Sequence, residues 1–186
     1  MKNRTHLLKS MKRKNDLTRY YAVRDLIKTG DLIEWRSSGP VGRAIRFFTK
    51  RDVNHSSFVA DIFRISSRER HKCILESLHR GIDINLLSDE LLHYRGAVYW
   101  YPLKDDYDDK RDGLLNSALL YSSIKYDWKS LFLNALHRVK LDSRRLFCSE
   151  YYQQILLDNA LIPVTSAVRP GDFERFKLHK PRVRIL

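Results

Sequence analysis

The spacing of apolar residues changes along the chain, and this change restricts the possible folds more than any other feature. In the first half, the segments HSSFVADIF, KCILESL, GIDINLL and GAVYWYPL have the β-branched and aromatic content of strands. After Tyr107, apolar residues recur every three to four positions, in RDGLLNSALLYSSI, DWKSLFLNALHRV and FCSEYYQQILLDNAL. Strands and helices that are segregated in this way predict an α+β fold rather than alternating βαβ units.

The chain predicts one domain with charged ends. Its 186 residues are 43% hydrophobic, which suits a single core, and there is no internal repeat or flexible linker. We therefore expect a basic N-terminal extension over 1–20 and one domain over 21–186 that ends in a basic tail. Of the net charge of +13, residues 1–20 carry +6 and residues 175–186 carry +5, which leaves +2 for the body of the domain.

The composition also suggests a compartment and a class of partner. No apolar run reaches membrane-spanning length and no signal peptide is evident, so we expect a cytoplasmic protein whose two cysteines are reduced. The basic ends could bind phosphates or anionic lipid headgroups, or could serve only solubility. The nearly neutral body does not predict a DNA-binding surface.

Cys148 lies at the predicted start of a helix, three residues after the pair Arg144 and Arg145. Unpaired backbone N–H groups at a helix N-terminus stabilise a thiolate and can bind an oxyanion, so this position favours a nucleophile. The alternative is a structural role, because Cys148 also begins the apolar face that continues through Tyr151 and Tyr152.

A nucleophilic cysteine needs a base, and His55 is the best placed of the seven histidines because it begins a predicted strand. Glu76 is the candidate for orienting the imidazole. In CILESL it shares a strand face with Ile74, where a lone carboxylate would be costly without a partner. That partner could be a histidine, or equally an arginine such as Arg80 or Arg95.

Six short segments, taken in order, resemble the permuted papain-like amidases, a branch of the NlpC superfamily of cysteine peptidases and acyltransferases. The segments are TGDLIEW, NHSSFVADI, ILES, KYDWKSLF, FCSEYYQQIL and RPGDFERF. In papain and ordinary NlpC enzymes the cysteine precedes the histidine. Here the histidine and the carboxylate come first, as in the permuted branch.

The resemblance implies a permuted papain-like NlpC-type fold, in which an antiparallel sheet packs against helices and the cysteine begins a helix. It implies a cysteine amidase or peptidase-like hydrolase with Cys148 as nucleophile, His55 as base and then acid, and Glu76 as the orienting group. Tyr126 is expected to line the pocket or help bind the oxyanion, or else only to anchor the following helix. The implied chemistry requires no metal and no cofactor, and its substrate is a small molecule, peptide or lipid with an amide or ester bond.

Other functions remain open at this stage. One is a lipid acyltransferase or esterase at a membrane surface, which the basic and apolar segment VGRAIRFF would suit, although the same pattern is typical of an ordinary core helix. Another is a non-catalytic protein that binds nucleic acid or anionic membranes through its basic ends. A third is a scaffold whose partner docks on the aromatic segment AVYWYPL.

Overall fold

The computed structural model describes residues 15–64, 69–78, 81–123 and 147–186. These residues form an α+β structure, as predicted, with an antiparallel sheet of six strands and five α-helices. The strands are β1 (Leu32–Ser37), β2 (His55–Arg64), β3 (Glu69–Leu78), β4 (Gly81–Leu86), β5 (Gly96–Tyr101) and β6 (Val183–Arg184). The helices are α1 (Thr18–Val23), α2 (Pro40–Thr49), α3 (Leu87–His93), α4 (Arg111–Ser123) and α5 (Phe147–Asp158). The predicted helix DWKSLFLNALHRV lies outside the described residues.

The strands are arranged in the order β4-β3-β2-β1-β5-β6, and every neighbouring pair is antiparallel. The register aligns Trp35 of β1 with His55 of β2, and Phe58 of β2 with Leu75 of β3. Because side chains alternate between faces along a strand, this register decides which residues of β1, β2 and β3 meet on each side of the sheet.

One side of the sheet, which we call the α5 face, packs against α4 and α5. Its core contains Phe58, Leu75 and the tyrosines Tyr151 and Tyr152 of α5. The rings of Phe58 and Tyr152 lie 6.1 Å apart. The body of α5 is therefore attached to the sheet through the apolar face that the spacing of its residues predicts.

The opposite side, which we call the α3 face, packs against α1 and α3. Its core contains Trp35, Val59 and Ile74 from the strands, together with Leu87 and Leu91 from α3. These strand residues alternate with those of the α5 face, as expected for a sheet that is covered on both sides. Leu86 is the N-cap residue of α3 and makes no side-chain capping bond.

The C-terminal residues, which the sequence suggested as a basic tail, form part of the sheet. Val183 pairs with Trp100, and the buried side chain of Ile185 joins the core of the α3 face. The Ile185 N–H also donates to the Val98 carbonyl at 2.9 Å. These basic residues therefore flank a short edge strand.

The aromatic segment that was considered as a docking surface is also inside the sheet. β5 pairs with β1 on one side and with β6 on the other, and Val98, Trp100 and Tyr101 are buried. The burial of these residues argues against the alternative in which a partner docks on this segment. In the part of the chain that the structure describes, no helix has both the length and the apolar character needed to cross a membrane.

A buried carboxyl group, Glu34, and a partly buried histidine, His179, lie on the α5 face. Burial raises the pKa of the Glu34 carboxyl to about 7, although the Gly171 N–H donates to its Oε1 at 2.7 Å. Burial, together with the charges of Lys104 and Arg111, lowers the pKa of His179 to about 3. In each case the low-dielectric surroundings favour the neutral form.

A tyrosine holds His179 in place. The Tyr152 hydroxyl donates to the Gly30 carbonyl at 2.9 Å and also lies 2.9 Å from His179 Nε2. Since the hydroxyl proton goes to Gly30, Nε2–H of His179 donates to the tyrosine oxygen, and Nδ1 is the unprotonated nitrogen. That buried nitrogen has no hydrogen-bond partner among the described residues.

The α3 face contains a buried ion pair between β2 and β3. Lys72 Nζ lies 3.0 Å from Asp61 Oδ2 and donates to the Ile27 carbonyl at 2.5 Å. Arg70, which is much more exposed, also reaches Asp61 at 3.2 Å. Here the buried charge is balanced by an opposite charge.

Candidate active site

His55 and Glu76 meet on the α3 face near one end of the sheet. His55 is the first residue of β2, and Glu76 lies near the end of the neighbouring antiparallel strand β3. His55 Nε2 is hydrogen bonded to Glu76 Oε2. The histidine side chain is 21% exposed and the carboxylate side chain 9% exposed, so the pair is sheltered but still reachable from solvent.

This contact answers the question of what pairs with Glu76. Of the alternatives, the structure shows His55 in that position, whereas Arg95 is exposed and Arg80 lies outside the described residues. A carboxylate can only accept, so His55 Nε2 carries the hydrogen and Nδ1 is the basic nitrogen of the ring. Glu76 therefore fixes both the tautomer and the orientation of the imidazole.

An aromatic wall borders the pair. The Trp35 ring lies 6.4 Å from the His55 ring and 4.8 Å from that of Tyr94, just after α3. Trp35 Nε1–H donates to Ser57 Oγ at 2.6 Å, which fixes the indole against β2. The wall limits the directions in which the imidazole can turn, so the ring is held by packing as well as by Glu76.

A second carboxyl group, Glu90 of α3, contributes to the electrostatics of the pair. Burial raises the pKa of Glu90, and the charge of Glu76 raises it further, while His55 acts in the opposite direction. No sequence pattern indicates this neighbour, because the proximity of Glu90 to the pair depends on how α3 packs across β3 and β4.

The segment before His55 is fixed by hydrogen bonds. The Asn54 N–H donates to the Trp35 carbonyl at 2.8 Å, and Asn54 Oδ1 accepts from the Ser37 N–H at 2.7 Å. Arg46 of α2 donates to the Ser37 carbonyl and approaches Asn54 Oδ1 at 3.4 Å. Asn54 and Arg46 thus position the start of β2. Sequence reasoning missed both, since neither belongs to a recognisable motif.

Cys148 is the second residue of α5, so the structure places it in the first turn of a helix, as predicted. Its side chain is not among those that the structure describes. The body of α5 packs on the α5 face, whereas His55 and Glu76 lie on the α3 face. To contact His55, the Cys148 side chain would therefore have to reach around the end of the sheet at which β2 begins.

Tyr126, the remaining predicted site residue, lies outside the described residues. Cys73, the other cysteine, is buried in β3 on the α5 face, and burial raises the pKa of its thiol. Within residues 15–64, 69–78, 81–123 and 147–186, no group of three His, Cys, Asp or Glu residues is arranged to hold a metal ion.

Fold and site together define an α+β protein that carries a histidine–carboxylate pair on adjacent antiparallel strands. No family model matches the chain, and no curated protein matches it either. Among solved structures, it is similar to a crystal structure of the metalloprotein YiiX from Escherichia coli O157:H7, described as DUF1105. The TM-score is 0.51 and the identity 19%, over 73% of this chain and 67% of that one. At this identity the similarity concerns the fold alone.

Proposed function

We propose that the protein is a cysteine hydrolase of the permuted papain-like kind, which cleaves an amide or ester bond through a thioester. The observation that supports this most directly is the hydrogen bond between His55 Nε2 and Glu76 Oε2. An imidazole oriented by a carboxylate is the partner that a thiol nucleophile requires. The proposal also requires that the Cys148 thiol, in the first turn of α5, reaches His55 around the end of the sheet at which β2 begins.

The tautomer assigns the roles. His55 Nδ1 takes the proton of the Cys148 thiol, and the resulting imidazolium is stabilised by the Glu76 carboxylate. Backbone N–H groups in the first turn of α5 supply positive potential for the thiolate and, later, for the oxyanion. Tyr126 is retained as a candidate for binding substrate or the oxyanion.

The reaction proceeds in two halves. The thiolate attacks the carbonyl carbon and forms a C–S bond, and the carbonyl electrons move to the oxygen. The tetrahedral intermediate collapses, the bond to the leaving amine or alcohol breaks, and His55 Nδ1–H protonates that group. His55 then deprotonates water, hydroxide attacks the thioester carbonyl, and the acid leaves while the thiol regains its proton from His55.

The decisive experiment measures alkylation of Cys148 by iodoacetamide as a function of pH, in wild type and in His55→Ala. We expect the wild-type thiol to react with an apparent pKa well below the free-thiol value of about 8.5, and near pH 6 we expect His55→Ala to slow labelling by roughly a hundredfold. Mass spectrometry of the peptides separates Cys148 from Cys73, which serves as an internal control because its thiol is buried and its pKa is raised.

Two outcomes oppose the proposal. If Cys148 titrates near the free-thiol value and His55→Ala labels at the same rate, the nucleophile assignment is wrong. The second outcome concerns metals, because the solved structure of similar fold is titled a metalloprotein and Cys, His and Glu are common zinc ligands. A thiolate held by a metal would label faster after EDTA treatment, whereas a thiolate activated by His55 would be unaffected.

A further inference from the structure

Helix α2 is amphipathic, but it exposes its apolar side. Phe47 is 78% exposed, Phe48 67% and Val41 51%. The two phenylalanine rings pack edge to face with their centroids 5.5 Å apart. The expectation of an ordinary core helix is therefore wrong, because an apolar stripe that packs inward would bury these residues.

The polar side of α2 holds the helix on the domain. Gly42 lies so close to β1 that an added Cβ would come within 2.7 Å of the Ser37 Cβ. Arg46, on the same side of the helix, donates to the Ser37 carbonyl. The contacts of Gly42 and Arg46 with β1 fix the orientation of α2, so Phe47 and Phe48 face outward.

The segment around α2 is strongly basic. Residues 36–51 contain five Lys or Arg residues and no acid, in a domain body whose net charge is only +2. Arg43 and Lys50 are both exposed and border the apolar stripe. A surface that combines adjacent aromatic rings with flanking cations matches the boundary between headgroups and acyl chains in an anionic membrane.

We infer that α2 docks the protein on anionic lipid bilayers, with Phe47, Phe48 and Val41 inserted between headgroups and Arg43 and Lys50 bound to lipid phosphates. Nucleic acid would satisfy the cations and could stack bases on the rings, but it offers nothing to the aliphatic Val41, whereas a bilayer takes up all three apolar side chains. The inference does not depend on the proposed chemistry. It adds a location, because α2 ends six residues before His55 and would hold the His55–Glu76 pair close to the bilayer.

The test is co-sedimentation of the full chain with vesicles of phosphatidylcholine and phosphatidylglycerol, about 7:3, against phosphatidylcholine alone. We expect binding to the anionic vesicles only, with a loss of about tenfold or more in Phe47→Ser/Phe48→Ser. Arg43→Ser/Lys50→Ser should weaken binding several-fold and reduce its dependence on salt. The matched control is Leu26→Ser/Val164→Ser, which removes two equally exposed apolar side chains outside α2 and should bind like wild type.

Three results would overturn the inference. Equal binding of wild type and Phe47→Ser/Phe48→Ser would assign the affinity to charge elsewhere in the chain. A dimer in sedimentation velocity that the phenylalanine variant dissolves, without vesicle binding by wild type, would show that a second copy covers α2. A large drop in thermal stability of the phenylalanine variant, again without vesicle binding, would show that another segment of the chain covers the rings.

Discussion

The two faces of the sheet bury ionisable groups in different ways. On the α5 face, Glu34 and His179 form no ion pair with any of the described residues, and burial moves the pKa of each group toward its neutral form. On the α3 face, Asp61 is paired with Lys72, and Glu76 with His55. Burial alone removes charge, whereas pairing keeps the charge and fixes its position. The proposed chemistry uses the second arrangement, because the Glu76 carboxylate orients the His55 imidazole.

The largest effect is expected from breaking a pair on the α3 face. Lys72→Met leaves the largely buried Asp61 carboxylate without its buried partner, and we expect a loss of about 3 kcal/mol in the free energy of unfolding. Urea denaturation with an unchanged m-value would measure this loss. Lys110→Met, which breaks the exposed pair with Asp109, is the control and should change stability by less than about 0.5 kcal/mol.

Replacing both partners sharpens that test. If the cost comes from an unbalanced charge, Lys72→Met combined with Asp61→Leu should recover most of the lost stability. A double variant as unstable as the sum of the single ones would mean that packing, rather than charge pairing, explains the effect.

On the α5 face, Glu34→Gln should stabilise the protein at alkaline pH. Because the folded-state pKa of about 7 is above the unfolded value, ionising Glu34 in the fold costs up to about 3 kcal/mol above pH 7, and the cost disappears as the pH falls toward 4.5. Glu34→Gln should therefore have a higher free energy of unfolding than wild type near pH 8 but not near pH 5. Glu174→Gln, at an exposed site, should show no such difference, and a pH-independent effect of Glu34→Gln would contradict the assignment.

The smallest expected effect concerns His179, whose contribution to stability changes with pH in the opposite direction to that of Glu34. Its folded-state pKa of about 3 is below the unfolded value of 6.5, so stability is lost as the pH falls from 6.5 toward 3. Between pH 7 and 4.5 this loss, roughly 2 to 3 kcal/mol, opposes the gain from Glu34. In thermal melts across this range, the stability of His179→Gln relative to wild type should rise toward acid. A variant whose pH profile follows wild type would show that His179 does not titrate as its burial implies.

Part of the fold follows from the sequence. The segments HSSFVADIF and KCILESL were predicted as strands, and the structure extends each of them by only a few residues. The prediction failed for β6, because a strand of only two residues, Val183 and Arg184, is too short to show alternation. It also failed for the orientation of α2, since the period of an amphipathic helix is visible in the sequence but its buried side depends on tertiary contacts such as that of Arg46 with Ser37.

The candidate site was predictable to a similar extent. Alternation along CILESL placed Glu76 on a buried face and so required a partner, which the structure shows to be His55. The contributions of Asn54 and Glu90 could not be predicted, because they depend on a hydrogen-bonded loop and on the packing of a helix. The catalytic role of Cys148 stays a prediction, which the alkylation experiment addresses.

The register between β2 and β3 has a consequence for how this protein tolerates length changes. His55 and Glu76 lie at the end of the two strands that is remote from residues 65–68, where the chain passes from β2 to β3. Extra residues within 65–68 would leave the register intact. One residue inserted between His55 and Phe58 would turn the imidazole to the other side of the sheet, away from Glu76. Insertional scanning should therefore find that one residue inserted near the start of β2 reduces thiol reactivity far more than several residues added within 65–68.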